Sequence, residues 1–455
     1  MCRLALALFC GKSSKNLNIN KIMNTPKIMP EEFLQYIWEN RLFKCENLQT
    51  VAGEKVEIIS VGKRNSDSGP DFFNARVKIN ETVWVGNVEI HRFTSDWERH
   101  NHNADAAYNN VILHVAEIID KPVFRSNGEE IPSVVLNYPA ALKTNYQKLL
   151  DAKTWIACQS QFHKIDPIIL QLGFNRLMIE RLEDKTSEIL LRLQANNNDW
   201  NATFYQMLAR IFGFKVNAVP FELLAKSLPI EILAKHKSNH FQLEALLFGN
   251  SGLLNDQLLG DDYFINLRNE YSFLFKKYQL KGIESHLWKF MRLRPGNFPT
   301  VRISQFAALI HRSHGLFSKI IEIESLNELK LLFKIQASEY WNQHYNFNKK
   351  SKLNSIKELG ESSINTIILN VVIPFLFVYG DKQNKEYLKN RSLEYLEQLP
   401  SEENSIIEKW QTLGVESRSA FESQALLQLK NKYCEQKKCL NCQIGVKLVK
   451  SNQFE

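Results

Sequence analysis

The stretch GPDFFNARVKINETVWVGNVEIH, Gly69 to His91, decides how the first part of this 455-residue chain folds. Phe73, Ala75, Val77 and Ile79 alternate with polar residues, as in a strand with one buried face. A polar turn, Asn80-Glu81-Thr82, leads into VWVGNVEIH, which alternates again, so that Glu89 and His91 share a face. Asp71 stands just ahead of the first strand. The stretch thus predicts two strands that bring two carboxylates and an imidazole to their ends. Two readings are open. The three groups form a site with metal-ligand chemistry, or Asp71 caps the turn after Gly69-Pro70 while Glu89 and His91 share an edge hydrogen bond.

The flanking sequence supplies the surrounding elements. PEEFLQYIWENRLF, from Pro30, has Phe33, Ile37 and Trp38 at helical spacing behind a proline suited to a helix start. EKVEIISVG (Glu54 to Gly62) is β-branched and bounded by glycines, as strands are. Ser95 with Glu98 has capping-box form and predicts a helix running to about Tyr108. NVILHVAE (Asn110 to Glu117) is nearly all apolar, as a strand covered on both faces would be. The element order is α, β, β, β, α, β. On the predicted helix His100 and His102, two apart, face different ways and read as solvent-facing or structural. With His91, His114 and Asp105 they are nonetheless donors suited to a transition metal. His114, inside an apolar strand, reads as a core histidine.

That order, with Pro70-Asp71 before the second strand and Glu89-Ile90-His91 on the third, resembles the core of the PD-(D/E)XK nuclease superfamily. The resemblance implies that Asp71, Glu89 and the Ile90 carbonyl bind Mg²⁺ or Mn²⁺, and that His91 occupies the position of the superfamily's lysine. It implies a first-helix acid among Glu31, Glu32 and Glu39, with Glu32 preferred. Hard oxygen ligands at period-2 spacing suit a cation that polarises a phosphate, whereas imidazole lacks an ammonium's permanent charge. The expected function is that of a metal-dependent nuclease acting on nucleic acid. The alternatives are an inactive scaffold of the same fold and a His/Asp metal hydrolase of a small phosphorylated substrate. NSDSGPDFFNARVKI, FPTVRISQFAALI and YCEQKKCLNCQIG also resemble an uncharacterised bacterial family over most of the chain from about Met29.

Composition frames these expectations. The hydrophobic fraction of 44% and the charged fraction of 23% are those of a folded globular chain. A net charge of +8 spread over the whole chain mildly favours an acidic partner such as nucleic acid. Seven cysteines, an odd number, fit a reducing cytoplasm better than a secreted disulfide framework. Residues 1–28 hold a short apolar run without a small-x-small cleavage site, and read as a disordered extension or a misassigned start. The 14-residue TIILNVVIPFLFVY, from Thr366, is short for a bilayer span and predicts a core helix, with no membrane association.

The expected fold class is α+β, with a nuclease-like mixed sheet and flanking helices over 29–140, a large all-helical domain over 141–429 and a basic, cysteine-rich tail over 430–455. Cys434, Cys439 and Cys442, with Cys158 as remote fourth ligand, have spacing suited to Zn²⁺ or an iron–sulfur cluster. Buried reduced thiols are the other reading. Lys437 and Lys438 in the tail, and Arg292, Arg294 and Arg302 in RLRPGNFPTVR, are candidates for phosphate contact.

Overall fold

The first helix, α1 (Glu31–Glu39), follows Pro30, which stands at its N-cap with φ −65°. Phe33, Leu34, Ile37 and Trp38 recur at helical spacing and are wholly buried, and α1 lies along the central strand of a sheet. The opposite stripe carries Glu31, Gln35 and Glu39, one turn apart each. In this computed structural model residues 29–254, 260–313 and 315–451 are described; the expectation for 1–28 lies outside them.

The chain divides into two compact units, one running to Lys153 and taking in the residues from Cys439 onward, the other spanning Thr154–Lys438. The first unit holds a mixed sheet of β1 (Val56–Ser60), β2 (Lys63–Arg64), β3 (Phe72–Ile79), β4 (Thr82–Phe93), β5 (Val111–Ile118) and β6 (Ser133–Val135). The order is β1-β3-β4-β5-β6, with β2 also on β3. β1, β3 and β4 run antiparallel, while β5 and β6 continue parallel to β4. β5 is buried along six successive residues, as its apolar run predicts.

Two local features aim the strands. The β3–β4 register slips between Phe72 and Ala75, where Asn74 adopts φ +54°, so a bulge sits just after Asp71. The β4–β5 register sets Glu89 opposite His114 and His91 opposite Ala116, which puts both histidines and Glu89 on one face.

The connection from β4 to β5 departs from the expected helix. Only Asp96–Arg99 (α2) is α-helical, and two 3₁₀ turns, His102–Ala104 and Ala106–Tyr108, follow. Ser95 is itself helical and its side chain caps nothing. Asn101, at φ +61°, breaks the helix before its second turn.

The last described residues are not a separate cysteine-rich module. The helix Gln443–Val449 packs on α3 (Ala140–Asp151) within the first unit. Its Ile444, Leu448 and Val449 are buried, as are Leu142, Tyr146 and Leu149 of α3, and Asn145 Nδ2 donates to the Ser451 carbonyl at 2.8 Å.

Among its described residues the regular structure of the second unit is helical apart from a small ribbon pairing His344–Asn346 with Lys349–Lys350. Two of its long helices start at side-chain caps, Asp166 for Pro167–Ala195 and Asp199 for Trp200–Phe212. The apolar stretch from Thr366 is part of a 22-residue helix, Glu361–Lys382, with a π turn at Ile368–Val372. By length and composition this helix could cross a membrane, contrary to the shorter span read from sequence; 67% of its most apolar window is buried within the protein.

Gly62 tests how tightly the bulge is held. At φ +87°, an added Cβ would lie 2.7 Å from the Phe73 carbonyl oxygen. Gly62→Ala should lower stability by about 1–3 kcal/mol, read as a shifted denaturant midpoint at unchanged m-value. An unshifted midpoint would mean that the bulge moves freely.

Candidate metal centre

The start of β3 and the end of β4 are tied by two reciprocal hydrogen bonds. The Asp71 N–H donates to Glu89 Oε2 at 2.9 Å, and the Ile90 N–H donates to Asp71 Oδ2 at 3.1 Å. Gln35 Nε2, on α1, donates to Asp71 Oδ1 at 2.7 Å, while Arg64 Nη2 donates to Gln35 Oε1 at 2.8 Å. Arg64 thereby orients the Gln35 amide so that its NH₂ faces Asp71.

The other oxygen of Glu89 faces imidazoles. Its Oε1 lies 3.5 Å from His91 Nε2 and 3.3 Å from His102 Nε2. His91 Nε2 is also 3.2 Å from His100 Nδ1, and His91 Nδ1 is 2.8 Å from His114 Nε2. One donor nitrogen from each of His91, His100 and His102 falls within 4.8 Å of the others, close enough to hold a metal ion. His91 is buried, His102 half-buried and His100 exposed, so the group opens to solvent on the side of His100. Trp97, 1% exposed, sets its edge against both His102 and His114, and Tyr108 stacks on His102 at 3.8 Å.

Asn101 makes this convergence possible. On a continuous helix His100 and His102 would diverge, as the sequence predicts; the left-handed residue between them turns His102 back towards Glu89. His114 meets the expectation of a core histidine: it is wholly buried, reaches the group only through His91, and its Nδ1 has no hydrogen-bond partner.

Burial sets the protonation of the site. The Asp71 carboxyl is pushed up to about 7 by burial and then by the negative charge of Glu89. Glu89 is pushed up to about 8, chiefly by burial with a contribution from Glu31. Glu31 is raised as well, again by burial, which the nearby His100 partly offsets. His91 is driven down to about 2 by burial and by its histidine neighbours, and His114 to about 3. His91 is therefore a neutral imidazole, suited to act as a ligand and a poor stand-in for an ammonium. Among the described residues no Lys or Arg comes within ion-pair distance of Asp71 or Glu89. A carboxylate pair withdrawn this far from water, with no cation beside it, keeps a proton or binds a cation.

The remaining candidates fall elsewhere. Glu32 is exposed and its charge is felt by Tyr146 on α3; the first-helix acid beside the site is Glu31, one turn before Gln35. The stripe Glu31, Gln35, Glu39 was the sequence signal for this face. Arg302 is corrected from a phosphate contact to a core residue. It is 5% exposed, donates to Asn297, Gln305 and Ser363, and lies over the Phe214 ring. Arg292, Arg294 and Lys438 are exposed and Lys437 half-buried. Cys439 is buried and Cys442 half-buried in the first unit, where Gly445 passes so close that a Cβ there would meet the Cys439 carbonyl at 2.1 Å. Cys158 and Cys434 belong to the helical unit, Cys434 at the end of its π turn Leu429–Cys434.

These shifts dictate how stability depends on pH. Asp71 and Glu89 retain protons that the unfolded chain releases near pH 4, so their contribution is complete below that pH and is lost as pH rises through about 7 to 8. His91 and His114 act oppositely: their contribution is present above about pH 6.5 and is lost as pH falls towards their depressed values. The two effects oppose each other in mildly acidic solution, and above about pH 6.5 the carboxyls act alone. The melting temperature of chelator-treated protein should therefore fall between about pH 6.5 and 8, and Asp71→Asn should flatten that fall. Calorimetry showing a flat profile for the wild type would contradict the protonated pair.

No curated protein and no solved structure matches the chain. A family model matches residues 31–405, from the first acid of α1 through the sheet and most of the helical unit. The chain belongs to the DUF2851 family, described as proteins of unknown function.

Proposed function

We propose that the first unit is a divalent-metal-dependent phosphodiesterase of nuclease-like fold acting on nucleic acid. The observation that carries this reading is the pairing of two carboxylates, half-buried Asp71 and buried Glu89, without a Lys or Arg partner among the described residues, against three imidazoles at the end of β4. His91, His100 and His102 would hold the cation, with Glu89 and Asp71 on its oxygen side. Such a donor set fits Mn²⁺ or another transition ion better than the Mg²⁺ that an all-oxygen site would prefer. When bound, a divalent cation lowers the pKa of a water ligand and polarises a phosphoryl oxygen.

The chain's own groups prepare the site. Gln35, oriented by Arg64, holds Asp71, and the Ile90 N–H holds its second oxygen. Trp97 and Tyr108 hold the His102 ring. The three imidazoles also favour a second reading, hydrolysis of a smaller phosphorylated substrate by the same centre, since such ligand sets serve many metal hydrolases. The C-x4-C-x2-C spacing supports a separate proposal, Zn²⁺ or an iron–sulfur cluster at the cysteines. Zinc and iron analysis with a visible spectrum of protein purified without oxygen should find one of the two metals, and neither above background rejects it.

Calorimetric titration with Mn²⁺ should show binding that Asp71→Ala and His102→Ala weaken. Cleavage of single-stranded or duplex nucleic acid with Mn²⁺ should fall by roughly 10²-fold or more in Glu89→Gln. If His91 is a metal ligand, His91→Lys should be as inactive as His91→Ala; rescue by lysine would instead assign it the role of a cation. No cleavage of any nucleic acid, with salt-sensitive binding retained, would leave the inactive scaffold, and turnover of small phosphate esters alone would favour the second reading.

A further inference from the structure

The helical unit contains a cavity of about 350 Å³ between the helices Trp200–Phe212 and Pro299–Arg312 and the shorter helices Ile230–Lys235 and Leu316–Glu322. Open to solvent on one side, this space is of the size that small-molecule sites have. Its floor is aromatic. Tyr205 and Phe306 stack at 5.8 Å, Phe204 and Phe317 meet at 5.4 Å, and all four rings are buried.

Three polar features break the apolar lining. Ser313, 7% exposed, presents a hydroxyl with no hydrogen-bond partner among the described residues. A buried hydroxyl left in that state is costly, and a ligand group that engages it removes the cost. At the exposed mouth stand Glu231 and Lys237. Neither forms an ion pair with another described residue, and the negative charge of Glu231 reaches the Tyr205 phenol. An apolar floor, one hydrogen-bonding group on the wall and opposite charges at the opening are complementary to a molecule with an apolar body and a zwitterionic head.

We infer that this cavity is a binding site for a small zwitterion with an aromatic or bulky apolar body, of the α-amino acid class. The body lies on Phe204, Tyr205, Phe306 and Phe317, the ligand's carboxylate faces Lys237, and its ammonium faces Glu231. The site lies wholly within the helical unit and is independent of the metal centre proposed above.

Isothermal titration of the full chain with L-tryptophan, tryptamine and indole-3-propionate tests this. L-tryptophan should bind, and each singly charged analogue should bind about tenfold more weakly. Leu208 also lines the cavity, and Leu208→Trp, which would fill it, should abolish binding. Lys237→Glu should weaken L-tryptophan about tenfold and leave tryptamine no weaker, and Ser313→Ala, a smaller change, covers the case in which the filled variant does not fold. Asp71→Ala should bind as the wild type does, so failure of the metal reading leaves this one standing. No heat from any of the three compounds at millimolar concentration, equal affinity for all three, or unchanged binding by folded Leu208→Trp would overturn it.

Discussion

The first unit depends on the paired hydrogen bonds that join Asp71 to β4. Each partner contributes one backbone donor and one carboxylate acceptor, so neither carboxylate can be withdrawn without leaving a half-buried backbone N–H unpaired. The bulge at Asn74 brings the chain to the spacing that the pair requires, and Gly62 makes room for it. Helix α1 is held to the same point from the other side through Gln35. Sheet, helix and bulge thus share one polar anchor, and burial lifts both of its acids far above their usual range although the backbone N–H bonds of the anchor pull the other way.

A second group of residues trades local helix propensity for convergence. A regular helix after β4 would satisfy its own backbone, yet it would scatter the histidines around its circumference. With a left-handed asparagine at 101 and two short 3₁₀ turns, the chain keeps most of its local hydrogen bonds while placing three rings beside Glu89. Trp97 and Tyr108 anchor a small core of their own with Val111, Val123 and Ile131. That core gives the short segment a rigidity its length alone would not supply.

Much of this was legible in the sequence because period-2 alternation and glycine boundaries are local signals. The strands, the shared face of Glu89 and His91, and the double coverage of β5 follow from them. The misses have nonlocal causes. Nothing in HNHN marks the second residue as the one that turns left-handed, since asparagine is also at home in helices and turns. Glu31 and Glu32 differ only in the side of α1 they occupy, which Phe33 and Leu34 determine through packing. Arg302 is charged, yet Asn297, Gln305, Ser363 and Phe214 give it a neutral, hydrogen-bonded socket that no spacing rule announces. The apolar helix at 361–382 looked short because its polar first turn, Glu361 to Asn365, hides its true start.

The docking of Gln443–Val449 on α3 makes the helical unit an insertion within the first. During synthesis the sheet and helices α1 to α3 leave the ribosome long before the segment that completes them, with the whole of 154–438 made in between. Until then the apolar side of α3, with Leu142, Tyr146 and Leu149, has no cover from its final partner. The nascent chain must keep that surface from other hydrophobic segments, among them the long helix at 361–382. The order of translation therefore sets the order of assembly, and the residues that complete the first unit are the last described ones to be made.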